Sequence, residues 1–167
     1  KTKLIKSLLK TKIENIENNY NRFINIMNSI IENNEEIVHN IRTIYKTAPA
    51  HKLRKLIAKH FIPTQEEKEE RGEVSTSVQL VDDMLKTIDL DFWKKPHKVY
   101  EACSGKGNFV LGLFDKFYDG LKEMYPDEIE RCRIIMTKCI YYADLSPLNV
   151  FITTELMKCH VQSYCGE

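Results

Sequence analysis

Apolar residues recur along the first part of the chain at helical spacing. Leu9, Ile13, Ile16, Tyr20, Phe23, Met27 and Ile30 alternate in steps of four and three, which is a heptad seam. Continued, the seam meets Asn34 and then Ile37, Ile41 and Ile44. Asn33-Asn34 is either a polar seam position or a turn between two antiparallel helices. Asparagine is abundant here and is a modest helix former, so the seam rather than propensity stabilises the helix. Such an element suits packing, a protein partner or self-association better than catalysis. Ala48-Pro49-Ala50 breaks it. Leu53, Leu56, Ile57 and Phe61 then share one side of a basic segment, residues 51–60, that ends at Pro63-Thr64. The charged run from Gln65 to Arg71 reads as solvated.

Farther on, the pattern changes to short alternating elements. Val78, Val81, Leu85 and Ile88 mark one face of a helix, with Leu80 and Met84 on its shoulder. Thr76 followed by Gln79 fits a capping box at its start. A short loop with Trp93 and Pro96 leads to Val99-Tyr100-Glu101, the end of a buried strand, and then to the glycine turn Cys103-Ser104-Gly105-Lys106-Gly107. Phe109, Leu113, Phe117 and Leu121 continue into a helix. Tyr125-Pro126-Asp127-Glu128 stops it and starts another, with Pro126 at a favoured first position and Ile129, Cys132, Ile135 or Met136, and Cys139 facing inward. A second strand, residues 139–143, ends in Asp144. Ser146-Pro147 caps a final helix carrying Val150, Thr154, Met157 and Val161. A third strand is expected to finish near Tyr164-Cys165-Gly166-Glu167. Two successive parallel strands thus end in acids, Glu101 and Asp144, and ligands of open α/β sheets sit at the carboxyl ends of strands.

Charge changes this picture only once it is divided. The net charge of 167 residues is +1, but residues 1–60 hold 12 Lys+Arg against 5 Asp+Glu, and residues 61–167 hold 13 against 19. The first part suits nucleic-acid contact, or equally a solvated helical face from a Lys/Asn/Ile coding bias. The five cysteines, Cys103, Cys132, Cys139, Cys159 and Cys165, form no C-x-x-C and are odd in number. They point to free thiols in a reducing, cytoplasmic compartment. Cys159-His160 with Cys165 matches no zinc spacing. No apolar run approaches the ~18 residues of a membrane span. The Lys-rich start is no signal peptide, and its first residue, Lys rather than Met, suggests a piece of something longer.

The glycine turn carries the chemistry. Gly105 and Gly107 permit positive φ and close approach of the backbone, and the N–H groups opening the next helix are free for a ligand. A dinucleotide fingerprint, G-x-G-x-x-G, fails at Val110. A P-loop fails because Gly107 follows Lys106 and no glycine lies five residues before Gly105. An acid at the strand tip favours a cofactor with hydroxyls or an ammonium over one with phosphates. The remaining pattern, acid, G-x-G, Asn-Phe, suits S-adenosylmethionine. The distance from Gly105 to Asp144 is about twice the ~20 residues of a dinucleotide unit; the extra helix accounts for it.

With these motifs in hand, residues 61–167 resemble the N-terminal, cofactor-binding portion of N6-adenine DNA methyltransferases of the restriction–modification type. Glu73-Val74-Ser75-Thr76-Ser77 with the Leu80-Val81 helix is similar to the family's EVFTP…LV..ML segment. Glu101 to Phe109 is similar to D-P-A-C-G-S-G-N-F, and Ala143 to Val150 to G-I-D-I-N-P-x-A-V. The resemblance implies an α/β, Rossmann-like class I methyltransferase fold, incomplete, preceded by a heptad-patterned α-helical region at residues 1–60. It implies S-adenosyl-L-methionine as cofactor and DNA as partner. Thr76 would contact the methionine end. Glu101, Cys103, Gly105 and Gly107 would line the methionine and sulfonium. Asp144 would hold the ribose hydroxyls, Leu145 would pack on the adenine ring, and Glu167 would hold the adenine amino group.

The departures are Ser75 and Ser77 around Thr76, Ala102 for a proline, and Lys106 for the loop serine. Lys106 would face solvent or weaken cofactor binding. The family's catalytic [DN]-P-P-[YF], which contacts a flipped adenine, is missing: Pro49, Pro63, Pro96, Pro126 and Pro147 are nowhere adjacent. The expectation is a cofactor half whose catalytic half lies beyond Glu167, inactive alone. The alternatives are a non-catalytic methyltransferase-like subunit that binds a partner through the N-terminal helix, and an RNA or protein methyltransferase.

Overall fold

A computed structural model describes residues 17–166 apart from 23, 27, 30, 31, 33, 50 and 51. The chain divides into two units, residues 1–36 and 37–167. In the first, the described residues between 17 and 32 are helical, and Tyr20 and Ile26 are exposed. The other seam residues, Leu9, Ile13, Ile16, Phe23, Met27 and Ile30, lie outside the described residues, as does Glu167.

Helices dominate the rest of the chain: α1 (Glu35–Thr47), α2 (Leu53–His60), α3 (Gln65–Arg71), α4 (Val78–Lys86), α5 (Leu90–Trp93), α6 (Asn108–Gly120), α7 (Glu128–Ile134) and α8 (Pro147–Cys165). Two three-residue strands, β1 (Val99–Glu101) and β2 (Ile140–Tyr142), run parallel, with Val99 opposite Ile140, Tyr100 opposite Tyr141 and Glu101 opposite Tyr142. A π-helical turn, Ile135–Cys139, leads from α7 straight into β2.

This corrects the expected architecture. The described residues are 68% helical with two short parallel strands, a helix-rich fold and not a Rossmann-like α/β sheet. The expected third strand is the C-terminal part of α8. That helix stays intact through Cys165 because Phe151, Ile152, Leu156 and Met157 are buried along it. The Tyr164 hydroxyl also donates to Asp115 Oδ1 at 2.9 Å. Gly166, at φ 73°, then ends it, as a left-handed glycine commonly does. Apolar residues on several sides of a segment suit a buried helix as well as a buried strand.

The core of the second unit surrounds α6, whose Val110, Leu111, Leu113, Phe114 and Phe117 are buried. Helix α4 crosses it at Gly112, where a Cβ would come within 2.9 Å of both Val81 and Leu85 side chains. On the other side Trp93, the one tryptophan of the chain, packs edge-on to Phe117 at 5.0 Å. Trp93 lies in a four-residue helix rather than the expected loop. A polar network ties α1, α2, α4 and α8 to α6. His160 Nε2 meets Asp115 Oδ1 at 2.7 Å, the Tyr45 hydroxyl meets His160 Nδ1 at 3.1 Å, and Arg54 reaches Asp82 at 2.6 Å and Asp115 Oδ2 at 3.6 Å. A carboxylate only accepts, so Nε2 carries the hydrogen on that side. Burial, with Cys159 and Asp115 nearby, pushes the Tyr45 hydroxyl far above its ordinary value, so it stays protonated. No described helix is long and apolar enough to cross a membrane.

Candidate functional site

The glycine loop connects β1 to α6, and β2 ends beside it. Backbone bonds continue the strand pairing past the sheet: Ala143 N–H donates to Glu101 O at 2.9 Å and Ser104 N–H to Ala143 O at 3.0 Å. Both glycines have positive φ, 49° at Gly105 and 88° at Gly107, a region that favours glycine. Their surroundings differ. A Cβ on Gly105 would meet nothing within 4 Å, whereas one on Gly107 would stand 3.2 Å from Thr153 of α8. Thr153 Oγ1 also donates to Gly105 O at 3.1 Å. Thus α8 buttresses the loop from one side and leaves Gly105 open.

Asp144 is the centre of the arrangement. Its Oδ2 accepts the Gly105 N–H at 2.8 Å, while Oδ1 accepts the Ser146 N–H at 2.8 Å and the Asn149 side-chain amide at 3.2 Å. Ser146 caps α8, its hydroxyl accepting from Asn149 N–H. An ionised carboxylate offers about four acceptor positions, so three internal bonds leave one. Glu101 is half-buried; its Oε1 accepts the Cys103 N–H at 3.0 Å, and Oε2 has no partner among the described residues. Cys103 is exposed and Leu145 fully so. Thr76 is half-buried, and its carbonyl accepts from Asn108 Nδ2 at 2.8 Å, which ties the segment before α4 to the start of α6. Thr76 is not the expected cap: the Ser77 hydroxyl accepts from Leu80 N–H, and Gln79 turns to Asp83.

Lys106 neither faces solvent nor stays over the loop. It is 12% exposed, with Nζ 2.7 Å from Glu67 Oε2 and 3.7 Å from Glu73 Oε1. Glu73 Oε2 accepts in turn from the Asn149 amide at 3.2 Å. A connected set, Glu67, Lys106, Glu73, Asn149 and Asp144, therefore clamps the loop. Burial pushes the Glu67 carboxyl up, but hydrogen bonds from Lys106 and the Thr64 N–H, with the ammonium's charge, hold it below the ordinary 4.5. Glu67 and Thr64 form a reciprocal capping box on α3, in the run expected to be merely solvated. Thr64-x-x-Glu67 is a readable capping signal; that Glu67 would also meet Lys106 is a tertiary fact with no local trace. The roles of Asn149 and Thr153 likewise leave no local signal in the chain. Two buried polar atoms beside the loop, Ser104 Oγ and Asn149 Oδ1, lack hydrogen-bond partners.

The donor set fits S-adenosylmethionine. Glu101 and Asp144 have acceptor positions for an ammonium or a hydroxyl. Gly107 caps α6 without a side-chain bond to its opening N–H groups, and Leu145 offers bare apolar surface. The loop's own cation is already paired with two acids, so it does not oppose a sulfonium. Among the described residues, no group of three or more His, Cys, Asp or Glu could hold a metal; His160 is occupied by Tyr45 and Asp115. No protein-family model, curated protein or solved structure matches the chain.

Proposed function

We propose that the ends of β1 and β2 bind S-adenosyl-L-methionine, and that the chain serves methyl transfer to the N6 amino group of adenine in DNA by supplying the cofactor side of the site. The observation that carries this reading is the Asp144–Gly105 bond: it fixes an acid at one strand end against an open glycine while leaving that acid one acceptor position. Glu101 at the neighbouring strand end accepts from the ammonium, Asp144 from the ribose, and Leu145 covers the adenine. Thr76, Cys103, Gly105 and Gly107 line the methionine, with Thr76 placed by its bond to Asn108.

When bound, the cofactor supplies an electrophilic methyl group. Transfer forms an N–C bond, breaks an S–C bond and releases an amino proton. The side chains that would orient the adenine amino group are not in this sequence, since no two prolines are adjacent. The chain alone is therefore expected to bind cofactor without methylating DNA. That same absence favours a second reading, a non-catalytic methyltransferase-like module; an RNA or protein substrate is a further alternative. A cytoplasmic location belongs to the proposal, in keeping with five free cysteines. Titration calorimetry with S-adenosylmethionine tests it. Binding that is lost in Asp144→Ala and weakened in Glu101→Gln supports the assignment, and no binding by the folded wild-type chain overturns it.

A further inference from the structure

We propose that the outer side of α1 and α2 is a surface that binds the phosphate backbone of nucleic acid. Residues 37–65 contain six Lys and Arg and no Asp or Glu. One of the six, Arg54, is internal and paired with Asp82 and Asp115. The other five, Arg42, Lys46, Lys52, Lys55 and Lys59, are exposed, and none forms an ion pair among the described residues. Elsewhere in the unit, Lys86, Lys94, Arg133 and Lys158 each have an acid three residues earlier on the chain. The α1–α2 cations have no such neutralising neighbour.

Their spacing makes an array. Arg42 and Lys46 are one helical turn apart, and Lys52, Lys55 and Lys59 follow at helical steps, so each set shares a side. Two grooves flank the end of α1. One, about 370 Å³, is lined by Ile44, Thr47, Ala48, Leu56, Lys59 and His60. The other, about 310 Å³, is lined by Arg42, Tyr45, Lys46, Cys159, Gln162 and Ser163. Neither contains an acid, and Thr47, Gln162 and Ser163 are the neutral polar types that bond phosphate oxygens.

The observations favour nucleic acid over the other polyanions. A helix that lies on a membrane buries its apolar face in the lipid, but Ile41, Leu53 and Ile57 already face the core. A protein interface is anchored by buried aromatic or Arg side chains in its centre, and the exposed cations here are mainly lysines with no exposed aromatic among them. An acid-free array of cations is the electrostatic footprint of backbone binding without sequence readout. The inference extends the DNA part of the proposed function, yet it stands on charge and exposure alone.

The test is binding of a short, fluorescein-labelled duplex of random sequence to the full chain, without cofactor, across a salt series. Five neutralised phosphates at ~0.9 each give a log–log slope of about −4.5. Arg42→Gln with Lys46→Gln should reduce the slope by about 2, and Lys52→Gln, Lys55→Gln and Lys59→Gln together by about 3, both with unchanged circular dichroism. An unaltered slope in both variants, absence of salt-sensitive duplex binding, or binding to phosphatidylserine vesicles that duplex does not compete away would each overturn the proposal. Calorimetry with S-adenosylmethionine on the same samples reads the cofactor site separately, so either can fail alone.

Discussion

The Asp144 carboxylate and the Gly105 N–H, 39 positions apart in the chain, meet at 2.8 Å. One acid thereby holds the glycine loop, the start of α8 through Ser146 N–H, and the Asn149 amide. In Asp144→Ala the Gly105 and Ser146 N–H groups lose their acceptor, and the Asn149 amide keeps only Glu73. A buried donor left unpaired costs about 1–3 kcal/mol, and these are only partly buried, so a loss of about 2 kcal/mol is expected in urea denaturation. Asp144→Asn should recover part of it, because an amide oxygen still accepts from one or two of the three.

The two loop glycines should respond unequally to alanine. Both substitutions carry the strain of positive φ, of order 1 kcal/mol or more. Gly107→Ala adds a Cβ 3.2 Å from Thr153, while Gly105→Ala meets open space. Gly107→Ala should be the more destabilising, with Gly107→Ala in a Thr153→Ser background partly restored. Equal midpoints for the two single variants would contradict the buttress formed by α8.

Glu67 governs part of the acid limb of stability. Its folded pKa lies below the ordinary 4.5, so it adds stability above that value. This contribution is lost as pH falls from about 4.5 through the depressed folded pKa. Lys106→Met removes the ammonium that causes much of the depression and leaves Glu67 and Glu73 without it. The variant should be less stable at neutral pH and should lose less on acidification. Parallel pH–stability curves for the two proteins would show that the pair is not coupled.

Cysteine labelling gives a readout of the loop. Burial pushes the Cys132 thiol up to about 12, with Cys165 beside it, and the Cys139 thiol up to about 11. Both are buried, so they stay protonated and unreactive in the native state at mildly alkaline pH. Cys103 is exposed and should be alkylated first, as peptide mapping will show. If the cofactor binds at this loop, saturating S-adenosylmethionine should slow that reaction.

The Asp115 cluster is expected to matter for stability alone. Asp115→Asn weakens its bonds with His160, Tyr164 and Arg54 at once, at about 1–3 kcal/mol for each buried group left unpaired. Its thermal midpoint should fall while calorimetric cofactor affinity at low temperature stays unchanged.

Local signals in the chain are legible where the responsible residues are neighbours. Ser146-Pro147 opens α8, Gly105 and Gly107 take positive φ, Glu101 ends β1, and Asp144 stands two residues past the end of β2. What is not legible depends on distant packing. The helix through Val161 is readable from its cap and spacing; that it runs on through Tyr164 and Cys165 instead of giving way to a strand depends on packing, with Tyr164 bonded to Asp115. Lys106 reads as a loop cation because Glu67 and Glu73, its partners, lie more than thirty residues away. The shift from Thr76 to Ser77 as the cap of α4 is a one-residue difference between two hydroxyls, which pattern alone cannot resolve.

The π-helical turn at Ile135–Cys139 joins α7 to β2 with no connecting residue. There is no slack in that junction. Side chains of a strand alternate between faces, so a slip of one position inverts the whole strand. Here Tyr141 points outward, 43% exposed, beside exposed Tyr100 of β1, while Ile140 is buried. Wound as an ordinary α-helix, the same residues would leave one too many at the start of the strand and shift β2 by one position. Tyr141 would be driven inward, Ile140 outward, and Asp144 out of reach of Gly105. The extra residue of that turn is thus a phase setter: it keeps the strand, and the acid two residues beyond it, in step with the loop.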